Sequence, residues 1–453
     1  MRITIVGGGK VGYTIAENLA NEKHDITVVE AKASVIEKIN EELDVLCIKG
    51  NGASVAVLKE AGVEKTDIFI ATTSRDEVNM IACLTAKSLG AKYTIARIRD
   101  FDYTDEIDLL THELKIDLAI NPESATAASI SRLMRFPDAA DVETFYHGRI
   151  ELVGFRAHDD DFFTNKSLGA VGERLTNEPI LFCAVEHKGI TSIPNGSTVI
   201  HSGDKVYMIG ATENISKFFA KIGRNTRKVK NVFIIGGGRV ATYLSKQLIK
   251  AGTDVKIIEQ NYDTCVSLTE MLPSAIIISG DGTDQNLLDL ESVSKYDCFL
   301  SLTGRDEDNI IAALYAKQQG AKNAIAKVNR QNYLRIVDSL EIDSIVSPKL
   351  ITAYGIIRTV RGMLNSHGSQ MLSLYKIAGG EAEAMEFVVS RSTKHLGTPL
   401  KDISIKPGVL LALIIRNGVP IIPEGTDCIK AGDNIIVVSK GHQILDINDI
   451  YDD

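Results

Sequence analysis

Gly7, Gly9 and Gly12 stand at the spacing of a turn that cradles phosphate, and Glu30 follows about 20 residues on, where an acid can reach a ribose. The first glycine permits the tight turn, the second lets backbone approach a pyrophosphate, and the third lets a helix pack closely on a strand. The helix that begins here turns free N–H groups and the positive end of its dipole toward any anion in front of it. Gly7, Gly8, Gly9, Lys10, Val11 and Gly12 are therefore the first candidate contacts. The Glu30 carboxylate accepts hydrogen bonds from ribose hydroxyls and repels a 2′-phosphate, which favours NAD(H) or another unphosphorylated ribose over NADP(H).

The same chemistry is written twice. Ile-Val-Gly-Gly-Gly-Lys-Val-Gly at the start returns as Ile-Ile-Gly-Gly-Gly-Arg-Val-Ala, which adds Gly236, Gly237, Gly238, Arg239 and Val240, with Ala241 in place of the third glycine. Glu259 repeats Glu30, Asn309 repeats Asn79, and Gly432-Asp433 repeats Gly203-Asp204. A register held from end to end marks two tandem copies of one unit. Gly50-Asn51-Gly52 and Gly280-Asp281-Gly282 could set Asn51 and Asp281 against an adenine edge, or form plain turns. Thr73 and Ser74 in one copy, Thr303 and Gly304 in the other, can line the nucleotide groove, while the acids after them favour a helix N-terminus. Arg97 and Lys327 close matching strands, where a cation could meet a phosphate or a neighbouring subunit.

The elements that must position these residues follow from periodicity. Ile3–Val6, Ile26–Glu30, Val45–Ile48, Ile68–Thr72 and Tyr93–Arg97 are short, β-branched apolar runs separated by helical stretches, and the order recurs from Val232 to Val328. Alternating strands and helices predict parallel sheets covered on both faces. A helix opening at Pro122, and another at Pro348, leads to a segment of short strands and tight turns in each copy. The expected class is α/β: two tandem units, each a Rossmann-like doubly wound parallel sheet followed by a small α+β domain. Boundaries are expected at residues 1–123, 142–223, 230–348 and 370–453. The basic joint at 224–230, with Arg224, Arg227, Lys228 and Lys230, reads most simply as a solvated linker, with an anion or lipid contact as the alternative.

Composition limits the function. The 453 residues are 44% hydrophobic and 24% charged, enough for several cores, and the net charge of −9 disfavours nucleic acid and anionic lipid as partners. No apolar run approaches the length of a membrane span, and the glycine turn interrupts any signal peptide, so a cytosolic location is expected. The six cysteines show no metal-ligand spacing, so neither a metal site nor disulfides are expected. None of the nine histidines recurs in a shared motif, and no acid–base set for catalysis is visible. Duplicated nucleotide folds without chemistry suggest a sensor, in which a ligand shifts an equilibrium between states.

The order of glycine fingerprint, Val-Val-Glu30, Gly-Asn-Gly, Ala-Thr-Thr-Ser-Arg-Asp-Glu-Val-Asn-Met, Ile-Ala-Arg97-Ile-Arg and Ile-Pro-Asn-Gly-Ser, all duplicated, closely resembles the TrkA family. These are peripheral NAD-binding regulatory subunits of Trk potassium uptake systems, built from two RCK (KTN) units, each a Rossmann-like N-terminal domain and a smaller C-terminal domain. The resemblance covers the whole chain. It implies NAD(H), with ATP or ADP as further candidate ligands, and a ring, commonly a homotetramer, on the inner face of the membrane, docked on a potassium-translocating subunit of the Trk type. Nucleotide contacts carry over to Gly7 through Val11, Glu30, Thr73, Ser74 and Arg97, and to Gly236 through Val240, Glu259, Thr303, Gly304 and Lys327. Ala241 and Lys327 depart from the first copy and set the second site apart. The alternative is an NAD-dependent oxidoreductase with a duplicated Rossmann fold, which requires a proton donor beside the nicotinamide.

Overall fold

The computed structural model describes residues 1–104, 107–136, 139–172, 179–224, 229–330, 333, 340, 342–364 and 369–452. Arg227 and Lys228 of the basic joint, and His367, lie outside the described residues.

The first copy begins β1 (Arg2–Val6), α1 (Lys10–Asn21), β2 (Asp25–Glu30), α2 (Ala33–Glu42), β3 (Leu46–Lys49), α3 (Val55–Glu60), β4 (Ile68–Ala71), α4 (Asp76–Leu89) and β5 (Tyr93–Arg97). Two short helices, α5 (Phe101–Thr104) and α6 (Ile107–Glu113), lead to β6 (Leu118–Ile120) and the crossover helix α7 (Pro122–Leu133). The six strands order as β3-β2-β1-β4-β5-β6, all parallel. Strands β1 and β4 are buried almost throughout because helices cover both faces, which is why they read as unbroken apolar runs. The sixth strand escaped the sequence reading: three residues are too few to show a period.

An antiparallel sheet follows, β10-β9-β11-β8-β7, from β7 (Ala139–Phe145), β8 (Ile150–Arg156), α8 (Leu168–Gly172), β9 (Ile180–His187), β10 (Ile190–Ser192), β11 (Lys205–Ala211) and α9 (Thr212–Lys221). The second copy repeats the plan. Its parallel sheet uses β12 (Asn231–Ile235), α10 (Arg239–Lys250), β13 (Asp254–Glu259), α11 (Tyr262–Met271), β14 (Ile276–Ser279), α12 (Gln285–Leu290), β15 (Cys298–Ser301), α13 (Asp306–Gln318), β16 (Ala324–Lys327) and β17 (Ser344–Val346), ordered β14-β13-β12-β15-β16-β17. The crossover helix α14 (Pro348–Leu364) leads to β18 (Gln370–Ile377), β19 (Ala382–Val388), β20 (Val409–Arg416), β21 (Val419–Ile421) and β22 (Asn434–Lys440), ordered β18-β19-β22-β20-β21. Two Rossmann-like sheets, each followed by an antiparallel sheet, are the architecture expected from the repeat.

The chain separates into two compact units that do not follow the repeat. Residues 1–127 cluster with 347–360, and residues 128–346 cluster with 361–453. Most of α14, written in the second copy, thus groups with the unit that holds the first parallel sheet. Within the other unit the two antiparallel sheets share one core, in which Phe145, Ile150 and Tyr207 meet Ile377, Leu413 and Ile436. Arg224 corrects the reading of a solvated joint: it is 8% exposed, donates to Asp161 at 2.6 Å and to the Arg156 carbonyl at 2.8 Å, and lies over the Phe155 ring.

Candidate nucleotide-binding sites

In each parallel sheet the strand order reverses beside the first strand, and ligands of open α/β sheets settle at that switch point, off the C-terminal strand ends. The glycine turns lie there. Gly7 takes φ +97°, and a Cβ on it would stand 3.0 Å from the Thr73 nitrogen; Gly236 takes φ +88° against Thr303. A Cβ on Gly12 would lie 1.9 Å from the Gly7 carbonyl oxygen, so helix and turn touch backbone to backbone. The second copy holds the equivalent Ala241 fully buried, so its helix and turn admit one methyl group there. Gly9 and Gly238 have nothing within 4 Å of a Cβ position. They are the N-caps of α1 and α10, and no side chain caps either helix, so both N-termini open onto clear space. Lys10 and Arg239 are exposed at the rims, and Val11 and Val240 pack beneath.

Glu30 and Glu259 do more than end their strands. Glu30 accepts from the Gly8 N–H at 2.7 Å with one oxygen, and from Ala31 and Lys32 at 2.8 and 2.9 Å with the other. Glu259 accepts from Gly237 at 2.7 Å and Asn261 at 2.8 Å. The carboxylate therefore fixes the glycine turn. Asn51 and Asp281 spend an oxygen on their own turns, accepting from Ala53 at 3.0 Å and from Thr283 at 2.9 Å. Gly52 is needed there for packing, since a Cβ would stand 2.0 Å from Val6.

Thr73 and Thr303 border the turns, with Ser74 and Gly304 exposed beyond them. The residue that holds Thr73 in place is Asn79, fully buried on α4. Its Oδ1 accepts from the Thr73 N–H and hydroxyl, both at 2.8 Å, and its Nδ2 donates to the Thr73 and Arg97 carbonyls at 3.2 and 2.8 Å. Asn309 makes the same four bonds to Thr303 and Lys327. The repeat displayed this pair; what it could not display is that an amide joins the ends of β4 and β5. Asp76 likewise ties α4 to the loop after β5, accepting from Arg99 and Asp100 at 2.7 and 2.8 Å, as Asp306 does from Asn329 and Arg330.

Arg97 and Lys327 both fold back onto carbonyls at the end of the fourth strand, Thr73 and Leu302 respectively. Burial, reinforced by the charge on Arg99, lowers the Arg97 guanidinium below its ordinary value, so an anion arriving there is favoured. One cation near the first glycine turn was invisible in sequence. Lys349 on α14 is pushed down by burial and by the charges of Lys10 and Lys38, with Glu17 opposing. It joins this site only because α14 packs in the first unit.

Fold and site define the class: a duplicated Rossmann-type chain with a glycine turn, a helix N-terminus without a side-chain cap and a carboxylate bonded to the turn at each switch point. The family model for the TrkA-N domain matches residues 3–122 and 232–348, and that for the TrkA-C domain matches residues 384–451. A Trk system potassium uptake protein TrkA homolog from Archaeoglobus fulgidus is 32% identical over 451 residues, covering 100% of both chains. The Trk system potassium uptake protein TrkA of Halomonas elongata is 33% identical, covering 99% of this chain and 96% of its own. The chain belongs to the TrkA family of Trk potassium uptake system proteins. In fold it matches a structure described as the GsuK channel bound to NAD, with TM-score 0.63 and 16% identity over 97% of this chain and 77% of the other. The curated relatives are potassium uptake proteins, which sets the oxidoreductase alternative aside. Among the described residues no helix is long and apolar enough to cross a membrane.

Proposed function

We propose that this chain is the nucleotide-sensing regulatory subunit of a Trk-type potassium uptake system. It is peripheral on the cytoplasmic face, closes a homotetrameric ring on the potassium-translocating subunit, and sets ion flow according to whether NAD(H), ATP or ADP occupies its glycine turns. The observation that carries the reading is a full-length match to Trk uptake proteins in a chain that presents the same turn and acid twice. In this reading the chain comprises four domains, 1–123, 142–223, 230–348 and 370–453, with both nucleotide sites in the Rossmann-like first and third. Pyrophosphate lies on the N-termini of α1 and α10, ribose on Glu30 and Glu259, and Thr73, Ser74 and Arg97, or Thr303, Gly304 and Lys327, line the far wall. Asn51 and Asp281 shape the rim.

The test is potassium uptake by the membrane subunit in cells lacking their own TrkA-type subunit, with and without this chain. The chain restores uptake, and the double variant Glu30→Gln, Glu259→Gln, purified as a folded oligomer, does not. Full uptake with the double variant would overturn the nucleotide assignment; no restoration by the wild-type chain would overturn the regulatory one.

A further inference from the structure

The two antiparallel sheets meet through equivalent surfaces, so their shared contact has two corners built from equivalent residues, and the corners differ. In one, the turn before β19 carries Glu381, whose carboxylate accepts from the Thr191 N–H at 3.2 Å. Lys440, at the end of β22, donates to the Thr191 carbonyl and stands 3.9 Å from Glu381. A carboxylate and an ammonium from one copy thus clasp the backbone N–H and C=O of β10 from the other, and the corner is closed.

In the second corner every one of these groups is replaced. Arg149 takes the place of Glu381, Ala211 that of Lys440, and Pro420, which has no N–H, that of Thr191. What remains is an open-sided pocket of about 330 Å³. Its lining includes Tyr146, Arg149, Glu213, Ile150, Ile415 and Pro420. The turn that carries Tyr146 and Arg149 is strained: Tyr146 and His147 take φ of 46° and 56°, where the second copy relieves the strain at one of the two positions with Gly379. Such conformations persist where the surroundings hold them and cluster at functional sites. A hydrogen bond from the Tyr146 N–H to Glu386 of the second copy, at 3.2 Å, holds this one.

We infer that this corner binds a small zwitterion, of the amino acid or betaine class, with its carboxylate on Arg149 and its ammonium between Glu213 and the Tyr146 ring. The closed corner shows the complement: there a carboxylate and an ammonium meet a backbone donor and acceptor. In the open corner the protein offers a cation and an anion over an apolar floor of Ile150, Ile415 and Pro420, and the occupant must bring the opposite charges. A guanidinium binds carboxylate through paired donors, and an ammonium is attracted to both an aromatic face and a carboxylate. The site is separate from the glycine turns, so it stands or falls independently of the nucleotide reading.

The test is calorimetric titration of the full chain with glycine betaine and L-proline, against propionate and choline as single-charge controls. Saturable binding of a zwitterion is expected, weakened at least ~10-fold by Arg149→Ala and by Glu213→Gln, both exposed positions that leave the fold intact. Ala211→Lys, which installs the residue of the closed corner, abolishes it. Each variant keeps the wild type's circular dichroism and thermal unfolding, which report its folding. Absence of saturable zwitterion binding, equal binding of propionate, or unchanged affinity in Arg149→Ala each overturns the proposal.

Discussion

Asn79 and Asn309 each close four hydrogen bonds from a fully buried position, so neither has a spare donor or acceptor to lose. Asn79→Ala leaves the Thr73 N–H and the Arg97 carbonyl without partners in the interior, and each orphaned group costs its desolvation. The expected loss is about 2–4 kcal/mol in urea unfolding, with weaker nucleotide binding because Thr73 loses its anchor. Asp67 and Asp297 act at the opposite end of the sheets. Asp67 accepts from Lys92 at 2.7 Å and from the Arg2 N–H at 2.9 Å, and Asp297 accepts from Lys322 and Lys230 at 2.6 and 2.8 Å. The Lys92 bond chiefly holds the Asp67 carboxyl below its ordinary value of 3.8; at Asp297 burial pushes upward, and the Lys322 and backbone bonds outweigh it. A depressed carboxyl contributes stability above its unfolded value and loses it as pH falls through the folded one. Thermal unfolding of Asp67→Asn, Asp297→Asn should therefore fall less steeply than wild type below pH 3.8, and an unchanged slope would refute this account.

At the scale of elements, each crossover segment is fastened to its antiparallel sheet by an arginine and a glutamate at equivalent places, with different electrostatics. Arg361 of α14 binds Glu383 of β19 through two donors, at 2.7 and 3.0 Å, with its side chain 3% exposed. Arg361→Ala strands a half-buried carboxylate and should cost about 3 kcal/mol. In the first copy Arg135 comes within 2.7 Å of Glu151 on β8, which is fully buried. Burial pushes the Glu151 carboxyl above its ordinary 4.5, with Arg135 opposing. A raised carboxyl contributes stability below its unfolded value and loses it as pH rises through the folded one. Arg135→Ala should thus lose stability more steeply than wild type as pH rises above 4.5, while Glu151→Gln lacks that pH dependence. Melting temperatures across that rise decide it. The strands and main helices were legible because β-branched runs and helical spacing are local signals. Strands β6 and β17 were not, being three residues each, and the Arg–Glu clamps were not, because their partners are brought together only by the turn into the antiparallel sheet.

On the scale of the whole chain, the glycine turns and their acids were readable because each lies within one βαβ stretch, whereas the regrouping of residues 347–360 with the first sheet was not, since no local pattern says which copy a helix will pack against. That regrouping has a consequence for ligand counting. The first glycine turn lies in one compact unit and the second in the other, so the two sites have separate scaffolds. If both are occupied, nucleotide titration gives two per chain in the wild type, one in Glu30→Gln, one in Glu259→Gln and none in the double variant. The sites should also differ in strength. The first adds Arg97, held down by burial and a neighbouring charge, and Lys349 from the regrouped helix, both of which gain from an anion. The second carries Lys327, a point charge already donating to the Leu302 carbonyl. Lys349→Ala should therefore weaken only the tighter of two binding phases, by roughly twofold to fivefold for a surface-edge charge. Equal weakening of both phases would mean that α14 does not serve the first site alone.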